Sequence, residues 1–174
     1  MAKEAEKLGV PLLAEVPQGT RCITIYNKCD LQDQAPERIA PAVGRAHSLF
    51  RRKLKHPRKI QAAMDRLIPD HRGLGIGHAD IVIEAIFEDA EVKRALYRDI
   101  EPRMKEDAIL ASNTSSIPLE ELTESLSRPG RLVGLHFFNP VAKMQLVEIV
   151  HGKDTDGEVA SRAMAFTRQI DRLP

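Results

Sequence analysis

Apolar and polar positions along the chain alternate between two spacings. Short β-branched or near-continuous apolar runs predict strands at CITIY (22–26), DIVIEAI (80–86), AILAS (108–112), RLVGLHFF (131–138) and LVEIV (146–150). DIVIEAI has the near-continuous apolar pattern of a strand buried on both faces. Helical spacing predicts helices from Pro36 to the Lys55-His56-Pro57 break, over 59–68, over 90–104, over 119–126 and over 157–171. Pro41 is a weak point of the first, because an internal proline kinks a helix. Nearer the start, 2–8 reads as a short helix, VPLLAEV (10–16) as a strand and 17–19 as a turn.

Strands alternating with helices imply parallel pairing through right-handed crossovers, so the fold class is α/β, a doubly wound, mostly parallel sheet in a single domain. The 174 residues suffice for one sizeable core and not comfortably for two. Ligands in such sheets bind beyond the carboxyl ends of the strands. Three polar clusters sit at those ends: Glu88-Asp89, SNTSS (112–116) and HFFNP (136–140).

Net charge is +1, so no global field favours nucleic acid or an anionic membrane, and the absence of Trp argues against base-stacking platforms. No apolar run reaches the length of a membrane span, and the acid-containing MAKEAEKLG start is not a signal peptide. Cys22 and Cys29 fit neither a disulfide framework nor a zinc knuckle, and read as free thiols in a reducing cytoplasm, with no metal site expected.

Among chemical candidates, His136 and Glu148 stand out. A carboxylate beside an imidazole fixes its tautomer and raises its basicity, which suits a general base. The alternative is a core histidine satisfied by backbone and an edge glutamate facing water. SNTSS can hold a carbonyl, hydroxyl or ribose oxygen, or can simply cap a helix. The basic run RRKLKHPRK (51–59) could meet phosphates, but a solvated helix face is the favoured reading. NKCD (27–30) matches a GTPase base-reading signature, yet GxxxxGK[ST] is missing, which favours a polar turn. GxGxxG is also missing; Gly73, Gly75 and Gly77 have the wrong spacing and precede a strand.

From about Asp33 onward the chain resembles the nucleotide-binding domain of 3-hydroxyacyl-CoA dehydrogenases of fatty-acid β-oxidation. The segments that carry this are DQAPERIAPAVGRAHSLFRRKLK, ADIVIEAIFEDAEVK, ASNTSSIPLEEL and, most specifically, GLHFFNPVAKMQLVEIV. The resemblance implies a Rossmann-like domain over 33–174, NAD as cofactor and an acyl-CoA substrate. It gives His136 the role of general base, Glu148 that of its orienting carboxylate, and Ser115 contacts to substrate and cofactor. Asn113 and Asn139 then lie on the cofactor side, Glu88 and Lys93 near its ribose and nicotinamide, Asp33 at the adenosine ribose, and Ser48 and Lys55 near coenzyme A.

The departures are specific. Residues 1–32 form an atypical segment, read as helix and strands completing the sheet. KEAEKLGVPLLAEVP resembles ParA/Mrp-type ATPases and ITIYNKCDL a GTPase strand and loop, as a recombinant, a designed chimera or a mispredicted gene start would give. Without the glycine loop, a pyrophosphate loses its helix N-terminus. The family's helical second domain is absent, and an exposed docking surface there would favour self-association. Two readings follow: a dehydrogenase fragment feeble or inactive alone, or a chimeric scaffold that binds no nucleotide.

Overall fold

The computed structural model describes residues 23–27, 35–70 and 72–174. The helix, strand and turn expected over 2–19, both cysteines and Asp33 lie outside the described residues. The described elements run β1 (Ile23–Asn27), α1 (Ala35–Leu54), α2 (Pro57–Asp65), β2 (Ile81–Ala85), α3 (Ala90–Ile100), β3 (Ile109–Ser112), α4 (Leu119–Thr123), β4 (Leu132–Phe137), β5 (Val147–Val150) and α5 (Gly157–Gln169).

The strands form one sheet in the order β1-β2-β3-β4-β5. The first four are parallel, and β5 runs antiparallel to β4. The difference lies in the connections. Helices carry the chain back between the parallel strands, whereas the link from β4 to β5 contains no helix, and a parallel return needs a long crossover. The strand beside β2 is Ile23–Asn27.

Helices cover both faces, which makes the fold doubly wound. Val82, Leu110 and Leu132 pack with Leu96, Tyr97 and Ile100 of α3 and Leu119 and Leu122 of α4. On the other face, Ile83, Ala111, Val133 and Leu135 pack with Ala163 and Phe166 of α5. All five residues of β2 are buried, as its apolar run demands. Outside the sheet, α1 and α2 close on a smaller core of Ala46, Phe50 and Ala63.

Helix ends follow local chemistry. His56 caps α2, with Pro57 in its first turn, and the Asp89 carboxylate accepts the Val92 N–H to start α3. Pro102 removes an amide donor, and α3 gives way to a 3₁₀ turn there, earlier than the pattern predicts. Helix α1 runs through Pro41 without a break, contrary to the expected weakness; burial of Ala46 and Phe50 against α2 stabilises the turns beyond it. Among the described residues, no helix is long and apolar enough to cross a membrane.

Candidate functional site

Pleat alternation selects the residues that meet at the carboxyl edge. Glu84, Ser112, Gly134 and Val150 are cross-strand neighbours in one row of the sheet. One pleat further toward the carboxyl edge, His136 stands directly opposite Glu148. This register needs the close approach that glycine allows: a Cβ on Gly134 would lie 2.9 Å from the Val150 Cβ.

The His136 Nδ1 is 3.1 Å from the Glu148 carboxylate. A carboxylate only accepts, so the ring donates from Nδ1, which in a neutral ring leaves the lone pair on Nε2. The ring is partly exposed and tilts against Phe138, centroid to centroid 4.5 Å. Of the two readings of this pair, the structure shows the histidine bonded to the acid rather than to backbone.

The SNTSS loop is tied on both sides. The Asn113 side-chain oxygen accepts the Phe137 N–H at 2.9 Å, beside His136. Across the loop, one Glu88 oxygen accepts the Thr114 hydroxyl at 2.6 Å, the Ser115 N–H at 2.8 Å and the Ser116 N–H at 3.1 Å. Burial opposes ionisation of Glu88, but these donors and the nearby Lys93 charge outweigh it and hold the carboxyl below its ordinary range. The cluster does not cap α4, whose N-cap Pro118 carries no side-chain bond; Thr114 Oγ1 instead accepts the Ile117 N–H at 2.9 Å in a turn ahead of that helix.

Lys93 is buried, and its ammonium lies 2.6 Å from Glu84 and 3.4 Å from Glu88. Asn139 is exposed, two residues beyond β4, joined to Pro140 by a cis peptide bond. The structure therefore brings Glu88, Lys93, Asn113 and Ser115 into one network beside the His136–Glu148 pair, with Asn139 at the same strand end.

Ser48 and Lys55 stand apart from that network. Ser48 is exposed on α1, in a shallow depression shared with Pro41, Gly44, Arg45 and Arg52. Lys55 follows the end of α1 in the left-handed backbone region, φ 53°. The charged side chains of 51–59 are exposed, as a solvated face requires.

Glu84 and Tyr97 were not legible as site residues, and Ser112 was legible only as a member of the SNTSS cluster. Glu84 accepts from Lys93, from the Tyr97 hydroxyl at 2.8 Å, from the Ser112 hydroxyl at 2.8 Å and from the Ile86 N–H at 2.8 Å. Burial, with the Glu84 charge beside it, pushes the Tyr97 phenol well above its ordinary value and keeps it a donor. The available signal was an acid in the middle of an apolar strand, a placement that demands partners. Among the described residues, no group of three or more His, Cys, Asp or Glu is placed to hold a metal.

Residues 22–174 match the family model described as "3-hydroxyacyl-CoA dehydrogenase, NAD binding domain". The alpha subunit of the fatty acid oxidation complex of Shewanella amazonensis is 36% identical over 150 residues, 83% of this chain and 21% of that protein. The same subunit of Psychrobacter cryohalolentis is 36% identical over 148 residues, with the same shares covered. The chain thus spans about a fifth of the length of the curated relatives it matches. Among solved structures, 3-hydroxybutyryl-CoA dehydrogenase of Escherichia coli K12 superposes with a TM-score of 0.80 at 28% identity, covering 95% of this chain and 34% of that one. M. tuberculosis FadB2 gives 0.84 at 27%, covering 98% and 60%.

Proposed function

Because this chain belongs to the family of 3-hydroxyacyl-CoA dehydrogenase NAD-binding domains, we propose that it binds NAD at the carboxyl edge of its sheet. There it supplies the proton-accepting half of a 3-hydroxyacyl-CoA oxidation. The observation that carries this reading is the open His136–Glu148 pair at 3.1 Å, set beside the Ser115 loop.

The residues present fit the redox end of the cofactor. Glu88, Asn113, Ser115 and Asn139 gather at the ends of neighbouring strands, where nucleotides bind in open α/β sheets, and Lys93 lies buried behind Glu88 in the first turn of α3. NAD, when bound, would take a hydride from the carbinol carbon. His136 Nε2 would take the hydroxyl proton, and Glu148 would stabilise the imidazolium so formed. Ser115, whose backbone is held by Glu88, would steady the reacting oxygen. The product is the 3-ketoacyl-CoA. Asp33 would meet the adenosine ribose, and Ser48 and Lys55, exposed along and beyond α1, would meet coenzyme A.

Calorimetry against NAD tests the cofactor half, with micromolar affinity expected. Silence would favour the scaffold reading, which rests on the missing GxGxxG. Absorbance of NADH, followed with acetoacetyl-CoA as substrate of the reverse reaction, tests the chemistry. These 174 residues by themselves are expected to turn over slowly, because they hold no GxGxxG to bind the pyrophosphate, and rates typical of a dehydrogenase would refute that.

A further inference from the structure

The His136 pair leaves a second charged cluster unused, and it lies directly beneath the loop that carries Ser115. Glu84 is fully buried next to the carboxyl end of β2, and Lys93 is 1% exposed. Four donors saturate the Glu84 carboxylate. One oxygen accepts the Ile86 N–H and the Lys93 ammonium, and the other accepts the Tyr97 and Ser112 hydroxyls. Each donor comes from a different place: the end of β2, two positions on α3, and β3.

Two arms run from this carboxylate to the same loop. Through the first, Lys93 reaches Glu88 at 3.4 Å, and Glu88 holds Thr114, Ser115 and Ser116. Through the second, Ser112 Oγ, which donates to Glu84, accepts the Thr114 N–H at 3.3 Å. The Glu84 backbone carbonyl also accepts the Asn113 N–H at 2.9 Å. Asn113 in turn binds the Phe137 N–H, next to His136.

The division of labour within Glu88 matters. Its Oε1 takes all the loop donors, while Oε2 faces Lys93. Glu84 holds the ammonium at the shorter distance. A buried ammonium without Glu84 has one carboxylate left to satisfy it, and drawing Glu88 inward pulls it from the loop amides. An apolar residue at 84, which the strand pattern calls for, would have this consequence.

We propose that Glu84 is a positioning residue that sets the Ser115 loop through Lys93 and Glu88, holding Ser115 in place beside His136. Only the effect on ligand affinity rests on the cofactor reading above; the effect on the loop stands without it.

Amide hydrogen exchange at Ser115 and Ser116, followed by NMR on the full chain, tests the linkage in Glu84→Gln, Lys93→Met and the double variant. Glutamine can keep the hydrogen bonds while losing the charge, because its oxygen can face Ile86 and Lys93 and its amide can face the two hydroxyls. Exchange at these amides is expected to speed up about tenfold in each single variant, with no further change in the double. Unchanged exchange in Glu84→Gln overturns the proposal, as does a multiplied effect in the double variant. Should Glu84→Gln not fold, Lys93→Met decides, since unchanged exchange there removes the link through which Glu84 acts. A second readout separates positioning from general destabilisation. Glu84→Gln is expected to weaken NAD about tenfold and leave ADP-ribose unaffected, a split that follows if the loop meets only the nicotinamide end. Equal weakening of both ligands overturns the proposal. An unmodified chain that binds no NAD sinks the cofactor reading, while the exchange measurements still decide Glu84.

Discussion

Two carboxylate–base pairs occupy the same face of the sheet, two strands and one pleat apart. Glu84–Lys93 is closed: its side chains are 0% and 1% exposed, and the acid is saturated by four donors. His136–Glu148 is open, with the ring 20% and the acid 57% exposed. One ring nitrogen is engaged, and in a neutral ring that contact leaves the lone pair on the other. The contrast separates two uses of the same chemistry. A saturated buried pair has no lone pair to offer a substrate, so it can only hold geometry. An open pair contributes little to stability, but it can accept a proton at the site where ligands of such sheets arrive.

The largest effect should break the open pair's function and leave its structure intact. His136→Gln is expected to cut NADH-linked turnover by about 10²- to 10⁴-fold, the usual contribution of a positioned base, with thermal stability nearly unchanged. Activity within a few-fold of the parent chain would move the chemistry elsewhere.

Stability should show the reverse asymmetry. Glu84→Leu strands the Lys93 charge and two hydroxyls in the core, and urea titration is expected to register a loss of about 3–5 kcal/mol. Glu148→Leu should cost no more than about 1 kcal/mol. Similar losses at the two sites would erase the distinction between closed and open.

A third change reaches the open pair through packing. Ala at Gly134 places its Cβ 2.9 Å from that of Val150, so β5 must shift. Overpacking of this kind costs about 1–3 kcal/mol. The His136 ring resonances should also change, because the register that sets Glu148 opposite His136 begins at that contact. A stable variant with unaltered ring signals would show that β5 tolerates the displacement.

The smallest effect concerns acid. Burial opposes the ionised form of Glu88, but the loop donors and Lys93 lower its folded-state pKa. A lowered carboxyl contributes stability above its unfolded value, and this is lost as pH falls through the folded value. Glu88→Gln should therefore flatten the acid side of the stability–pH curve and leave neutral stability less affected. An unchanged acid slope would show that Glu88 binds its donors without net preference for the charged form.

The fold was legible because its signals are local. Each described strand falls within about a residue of its apolar run, and in β2 and β3 burial on both faces requires that continuous hydrophobicity. The His136–Glu148 pair was legible in type, an imidazole and a carboxylate on neighbouring apolar strands. The role of Glu88 was not, because its clasp on Ser115 and Ser116 spans 27 and 28 positions of sequence and leaves no periodic trace. Glu84 was hidden for a similar reason. Its partners lie 2, 9, 13 and 28 positions away, and inside an apolar run it looked like an interruption.

The alternation of strands and helices is written in the order of apolar and polar residues, and with it the doubly wound class and the edge on which polar residues gather. The sequence also carried the family, through segments such as GLHFFNPVAKMQLVEIV. Which acids and bases became partners was set by the folded chain. Pairing depends on register and on which pleat faces which helix, and both are settled by packing between segments distant in the chain. The close approach at Gly134 put Glu148 opposite His136, and the packing of α3 across β2 put Lys93 and Tyr97 on Glu84.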